Sequence, residues 1–225
     1  MALLHYAPPM TPYLDILYQD EDVLVVNKPA GILSVRGKAP EHQDSIQMRV
    51  NTVFPEARIV HRLDMATSGI LVLAMHKAAN QHLSAQFAAR KTQKRYFARV
   101  LGHITQDHGE CDQPLIVDWP NRPKQKVCYE TGKPALTRYE VLQRDTYSSL
   151  VELKPVTGRS HQLRVHMLSL GHPILGDRLY SEPETRTHVT RLYLHAAELG
   201  FYHPSSERWM AFAQPHPFAE EPSKN

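Results

Sequence analysis

The sequence predicts an α+β fold, a main domain built on a mostly antiparallel or mixed β-sheet flanked by helices and loops. Two observations carry this expectation. Segments of strand composition outnumber segments of helical periodicity, and the two kinds do not alternate regularly, which argues against a doubly wound parallel sheet. The 225 residues are 42% hydrophobic and 22% charged, a globular balance. At about 150 residues per domain, this length supports one large domain or two small ones.

Residues 1–13 hold Pro8, Pro9 and Pro12 and little periodic pattern, so they are expected to form an extended arm over the surface. The main domain is placed at residues 14–215, with 216–225 as a tail. Leu14 to Tyr18 and Val23 to Val26 are β-rich runs joined by Asp20-Glu21-Asp22, as in a hairpin. Asp44 is a candidate cap for a short helix, with Gln47 three residues on and Ile46, Val50 and Val53 on its buried face. The unbroken apolar run Gly69 to Met75 reads as a strand buried on both faces. Ala79, Leu83 and Phe87 recur at helical spacing between Lys77 and Arg90. Strand-like runs follow at Tyr96 to Leu101, Leu136 to Leu142, Ser149 to Leu153, Leu192 to Ala196 and Trp209 to Phe212. Among them lies a second helix opened by Gly158, with Leu163, Met167 and Leu170 as its stripe and Gly171 then Pro173 as its stop.

Composition excludes several classes. No apolar run approaches the roughly 20 residues that a membrane-crossing helix needs, and the N-terminus lacks the basic start and apolar stretch of an export signal. A cytoplasmic address is expected. Cys111 and Cys128 form no short pair, which points to free thiols rather than a disulfide framework. His161 and His166 stand five apart, where a zinc helix wants about four, and no metal site is expected. Lys and Arg total 26 against 23 Asp and Glu, a net charge of +3. That mild excess permits a polyanionic partner, but local clusters decide.

Four polar clusters stand out. His61-Arg62-Leu63-Asp64-Met65-Ala66-Thr67-Ser68-Gly69 precedes the most apolar strand, and a polar loop on a rigid strand is a common catalytic platform. It is equally a turn with a surface Arg62–Asp64 ion pair and a solvated His61. Thr157 to His166 sets two arginines and two histidines at a helix start, or simply along a solvated helix face with His166 against the core. Gln93 to Arg99 interleaves aromatic rings with cations, a pattern suited to stacking bases and meeting phosphate. Asp118 to Lys126 is a proline-stiffened basic loop carrying Trp119 and Arg122; a packed surface turn explains it as well.

Taken together, these residues resemble the pseudouridine synthase family. The resemblance rests on Asn27-Lys28-Pro29-Ala30-Gly31, His61-Arg62-Leu63-Asp64 with Thr67-Ser68-Gly69, Lys94-Arg95-Tyr96, and Gly158 to His166, in that order and spacing. It runs from about residue 14 to residue 215. What it implies is an enzyme that detaches a uridine base in RNA from its sugar at nitrogen, turns it and reattaches it through carbon, with no cofactor or metal and no obligate protein partner. By the same resemblance Asp64 is the indispensable carboxylate, acting as nucleophile or as base. Arg164 is then the cation beside it, and Tyr96 the ring against the uracil. Leu163 forms part of an apolar floor, Arg62 enters the RNA stack or fills the space of an extruded base, and His61 and Lys28 belong to the binding motifs. Each has a plainer alternative: an ion pair for Arg164, a sheet-core ring for Tyr96, a core helix position for Leu163, and a strand-ending turn for Lys28.

The family's chemistry agrees with general physics, since a target carbon inside a stack must be flipped out and held. Many relatives carry a small basic RNA-binding domain before the catalytic one. Here the first strand begins about fourteen residues in, so RNA choice is expected to reside in the catalytic domain. Met65-Ala66 replaces the charged pair common after the aspartate, a departure shared with the type acting on both a tRNA anticodon loop and a 23S rRNA hairpin. The rivals are a non-catalytic RNA-binding module using Tyr96, Trp119 and the basic loop, and a glycosidase, which generally needs a second acid, and none accompanies Asp64 in its cluster.

Overall fold

The computed structural model describes residues 6–182 and 189–218. In chain order its strands are β1 (Ile16–Gln19), β2 (Val23–Lys28), β3 (Arg58–Ile59), β4 (Ser68–Ala74), β5 (Gln93–Leu101), β6 (His108–Cys111), β7 (Leu115–Val117), β8 (Gln125–Val127), β9 (Thr137–Arg144), β10 (Ser148–Pro155), β11 (Leu194–Tyr202) and β12 (Trp209–Ala213). Its helices are α1 (Ile46–Asn51), α2 (Lys77–Ala88) and α3 (Gln162–Ser169). Among the described residues the chain divides into two compact units, one of residues 6–94 with Ala196–Pro215 and one of residues 95–182, 189–195 and 216–218.

In the first unit the strand order is β1-β2-β4-β11, with β3 beside β4 and β12 beside β11. The β1–β2, β2–β4, β3–β4 and β11–β12 pairs are antiparallel. The acidic turn joins β1 to β2 because Asp20 Oδ1 accepts the N–H groups of Asp22 and Val23 at 2.9 and 2.8 Å, while the Tyr18 hydroxyl donates to Oδ2. Every residue of β4 is buried, as its unbroken apolar character predicts. Val23, Val25, Ile70 and Val72 pack with Ala79 and Leu83 of α2 and with Leu199 and Phe201 of β11. Two expectations about α1 need correction. Its cap is Ser45, whose Oγ accepts Met48 N–H at 3.1 Å, because the Asp44 carboxylate is engaged by Arg49 at 2.6 and 2.8 Å. Val53 lies beyond the helix end and is 63% exposed. The N-terminal arm is also pinned: the Tyr6 hydroxyl donates to Asp44 O and accepts Leu33 N–H, and Arg49 lies over the Tyr13 ring.

In the second unit the order is β5-β10-β9-β6, all three pairs antiparallel, with β7 and β8 as a separate antiparallel pair. Helix α3 starts at Gln162, four residues after Gly158, with His161 in the left-handed region at φ +54°. The delay has a physical cause. Gln162 Oε1 accepts the Thr157 hydroxyl and Arg159 N–H at 2.7 and 3.0 Å, so Thr157 to His161 is consumed as a turn around that side chain. The solvated-face alternative for this helix is overturned, because Gln162 to Met167 are all buried. His166 Nε2 faces Gln113 O at 3.0 Å and its Nδ1 faces the Thr137 hydroxyl at 2.9 Å. Burial pushes its pKa down and keeps the ring neutral.

Candidate active site

The loop from His61 to Thr67 carries Asp64, and its backbone is held at nearly every step. His61 opens it: the ring stacks on Phe87 with centroids 4.6 Å apart, and its Nε2 accepts Val72 N–H at 3.2 Å. An accepting Nε2 requires the neutral tautomer with the proton on Nδ1. Burial, helped by the Lys94 cation, drives the His61 pKa down to about 3. The Ser34 hydroxyl donates to Leu63 O at 2.7 Å and faces Leu63 N–H at 3.1 Å. Asp64 O accepts Thr67 N–H at 3.1 Å, closing a turn, and Met65 O accepts Gly31 N–H at 2.8 Å and Lys28 Nζ at 3.1 Å. Gly69 lets this loop enter β4 directly. Its φ is +117°, and a Cβ there would come 2.2 Å from Ala196 O.

The side chains alternate accordingly. Leu63 is buried, Asp64 is half-buried and Arg62 is exposed, without an ion pair among the described residues. Two motif residues are turned inward instead of being presented to a ligand. Lys28 is fully buried, and its Nζ donates to the carbonyls of Pro29, Ile32 and Met65 at 3.0, 2.8 and 3.1 Å. Its ammonium therefore ties the turn after β2 to the Asp64 loop. His61 spends its ring on Phe87 and the β4 backbone, so the solvated alternative for it is wrong.

In the other unit, Arg164 projects from α3 with its side chain only 5% exposed. Its Nε and Nη2 each donate to Asp177 at 2.7 Å, a bidentate clasp, and its guanidinium lies 5.1 Å from the Tyr180 ring centroid. The exposed ion pair allowed for Arg164 is thereby excluded. Asp177 in turn accepts the N–H groups of Leu179 and Tyr180 at 2.9 and 3.2 Å. Sequence reasoning missed Asp177. The available signal was the preceding Gly176, at φ +73°, where a Cβ would lie 1.9 Å from Arg191 O; a glycine before an acid marked a crowded, specified turn.

Tyr96 sits half-buried on β5 opposite Leu153. Its neighbour Arg95 pairs with Glu152 at 3.0 Å. Leu163 is buried within α3, where a floor and a core position coincide. Trp119 and Arg122 lie on the loop joining β7 to β8, with the Arg122 guanidinium 3.5 Å from the indole centroid and the ring 63% exposed. The loop is also a hydrogen-bonded surface turn, with Asp118 N–H donating to Lys124 O at 2.9 Å and Lys124 N–H to Asn121 O at 3.0 Å, so the surface-turn alternative stands beside the binding one. That hairpin is fastened to α3: Leu115 and Val127 pack with Val165 and Tyr180, Gln125 N–H donates to the Tyr180 hydroxyl at 2.7 Å, and that hydroxyl meets His161 Nδ1 at 2.7 Å. The structure therefore gathers Arg164, Leu163 and the Trp119 loop on one scaffold.

The chain thus carries a half-buried carboxylate on a locked loop and, elsewhere, a clasped guanidinium and an exposed Trp119 ring. Residues 22–169 match the family described as RNA pseudouridylate synthase, and the chain belongs to that family. It is 56% identical over 219 residues to the dual-specificity RNA pseudouridine synthase RluA of Escherichia coli K12, covering 97% of this chain and all of that one. The RluA of Vibrio parahaemolyticus is 51% identical over 229 residues, covering 98% of this chain and 92% of that protein. Among solved structures, human RNA pseudouridylate synthase domain containing 1 superposes with a TM-score of 0.79 at 34% identity, covering 94% of this chain and 87% of that one. The fold is the α+β pseudouridine synthase fold with one catalytic domain, and the activity is that of an RNA pseudouridine synthase, an isomerase. The reading as a non-catalytic RNA-binding module is not favoured.

Proposed function

We propose that this enzyme isomerises uridines presented in two folded loops, a 23S rRNA hairpin and a tRNA anticodon loop, in the cytoplasm, with residues 14–215 as its catalytic domain. Asp64 is the essential carboxylate, and Tyr96 and Arg164 are the other catalytic side chains. Arg62, Trp119 and Arg122 meet RNA, and Leu163 lies under the base. Lys28 and His61 support the Asp64 loop from beneath. The dual substrate choice is supported by the relatives' description as dual-specificity enzymes and by Met65-Ala66 after the aspartate.

The observation that carries the catalytic assignment is the loop geometry. Backbone groups of Leu63, Asp64 and Met65 are bound by Ser34, Thr67, Gly31 and Lys28, which leaves the Asp64 carboxylate on a fixed mount. Such preorganisation is what a single carboxylate needs in order to meet a flipped base at reacting distance. The test is release of tritium from carbon five of uracil in folded tRNA and in 23S fragments. Asp64→Asn is expected to abolish release while RNA affinity stays within a few fold, because phosphate and stacking contacts supply most of it. Wild-type release by Asp64→Asn would refute the assignment, and release from only one of the two RNAs would refute the dual choice.

A further inference from the structure

We propose that Ser34 is a positioning residue for Asp64, setting the backbone of the catalytic loop from beneath; the proposal rests on Asp64 being the catalytic carboxylate. Ser34 is 3% exposed, so it touches no RNA. Its one hydroxyl serves both backbone groups of Leu63, donating to the carbonyl at 2.7 Å and lying 3.1 Å from the N–H. Leu63 immediately precedes Asp64. The peptide groups on either side of the carboxylate-bearing residue are thus fixed, Leu63 O by Ser34 and Asp64 O by Thr67 N–H at 3.1 Å, and Met65 O is held one peptide further on by Gly31 and Lys28.

Ser34 is itself held. Gln47 N–H donates to the Ser34 carbonyl at 3.1 Å and Ile46 N–H to the Leu33 carbonyl at 2.9 Å, both from the start of α1. Leu33 N–H donates to the Tyr6 hydroxyl at 3.0 Å. The hydroxyl therefore acts from a rigid base, and its loss transmits directly to Leu63. A catalytic group must sit within about 0.5 Å of its productive position. A misplacement of about 1 Å can cost on the order of a hundredfold in rate. Removing Oγ frees two buried backbone groups that then seek other partners, and Asp64 moves with them.

The experiment compares kcat, KM and RNA affinity for Ser34→Ala and Ser34→Cys with Ser149→Ala as a matched control. Ser149 is also buried, and its hydroxyl likewise serves two backbone groups, accepting Ile104 N–H at 3.3 Å and donating to Gly102 O at 2.9 Å. All variants are assayed below their unfolding midpoints. Ser34→Ala is expected to lose kcat about tenfold or more with KM and affinity within about twofold. Ser34→Cys, with its weaker donor and acceptor, falls between it and wild type. Ser149→Ala loses stability and keeps kcat. Wild-type kcat in Ser34→Ala, or an equal loss in Ser149→Ala, would overturn the inference. The two readings separate cleanly: an inactive Asp64→Asn beside a fully active Ser34→Ala sinks only the role of Ser34, whereas an active Asp64→Asn sinks both.

Discussion

Replacing Asp177 with alanine isolates the support beneath Arg164. The guanidinium is 5% exposed and the carboxylate 1% exposed, joined by two bonds of 2.7 Å. Truncation removes the carboxylate that clasps a buried cation, and it also strips Leu179 N–H and Tyr180 N–H of their acceptor. Breaking a buried pair in this one-sided way costs about 3–5 kcal/mol. For a chain of this size, about 1 kcal/mol moves the thermal midpoint by roughly 2–4 °C, so the midpoint should fall by roughly 6–20 °C. Urea unfolding is the assay, with the slope m as a check that the denatured state is unchanged. Asp177→Asn keeps an oxygen for the two N–H groups but points an amide nitrogen at a guanidinium donor, so its loss should be smaller. Arg164→Met combined with Asp177→Leu should be more stable than Asp177→Ala, because both halves of the clasp are then replaced by apolar groups together. An Asp177→Ala protein that unfolds within about 1 kcal/mol of wild type at equal m would refute this account of how Arg164 is held.

Three further variants probe the Asp64 loop and the Trp119 loop. His61 titrates near 6.5 when unfolded and at about 3 when folded, so between these values the unfolded chain binds the extra proton. Its contribution is complete above about pH 6.5 and is lost as pH falls toward 3. His61→Gln, which can still accept Val72 N–H, should therefore lose less unfolding free energy between pH 7.5 and pH 5 than wild type does, and equal losses in paired urea titrations would contradict this. Trp119→Ala should leave the unfolding midpoint nearly unchanged, since the ring is 63% exposed, yet weaken RNA binding by about 1–3 kcal/mol of stacking. Arg122→Ala should reduce the slope of log affinity against log salt by about one contact's worth; unchanged affinity and slope in both variants would remove this loop from the RNA surface.

How far the sequence could be read depended on how local the determining contact was. The Asp20 turn, the fully buried β4 and the spacing of Ala79 and Leu83 in α2 were legible, because each is set by residues a few positions apart. The cap of α1 was misassigned by one residue, since Asp44 and Ser45 both have capping side chains and Asp44 is taken up by Arg49, which is itself held by the distant Tyr13 carbonyl. Helix α3 began later than Gly158 indicated because Gln162 folds back onto Thr157 and Arg159, and its charged residues were buried instead of solvated.

The same distinction governs the active site. By itself the sequence marked the polar loop ahead of β4, placed Asp64 in it and assigned the family, because motif order and spacing lie along the chain. Only the tertiary structure decided that Lys28 and His61 face inward, that Ser34 meets Leu63 at a sequence separation of 29, and that Asp177 clasps Arg164. The physical reason is that a buried polar group takes whichever partner the packed chain delivers, and pattern along the chain does not encode which distant backbone group that partner is.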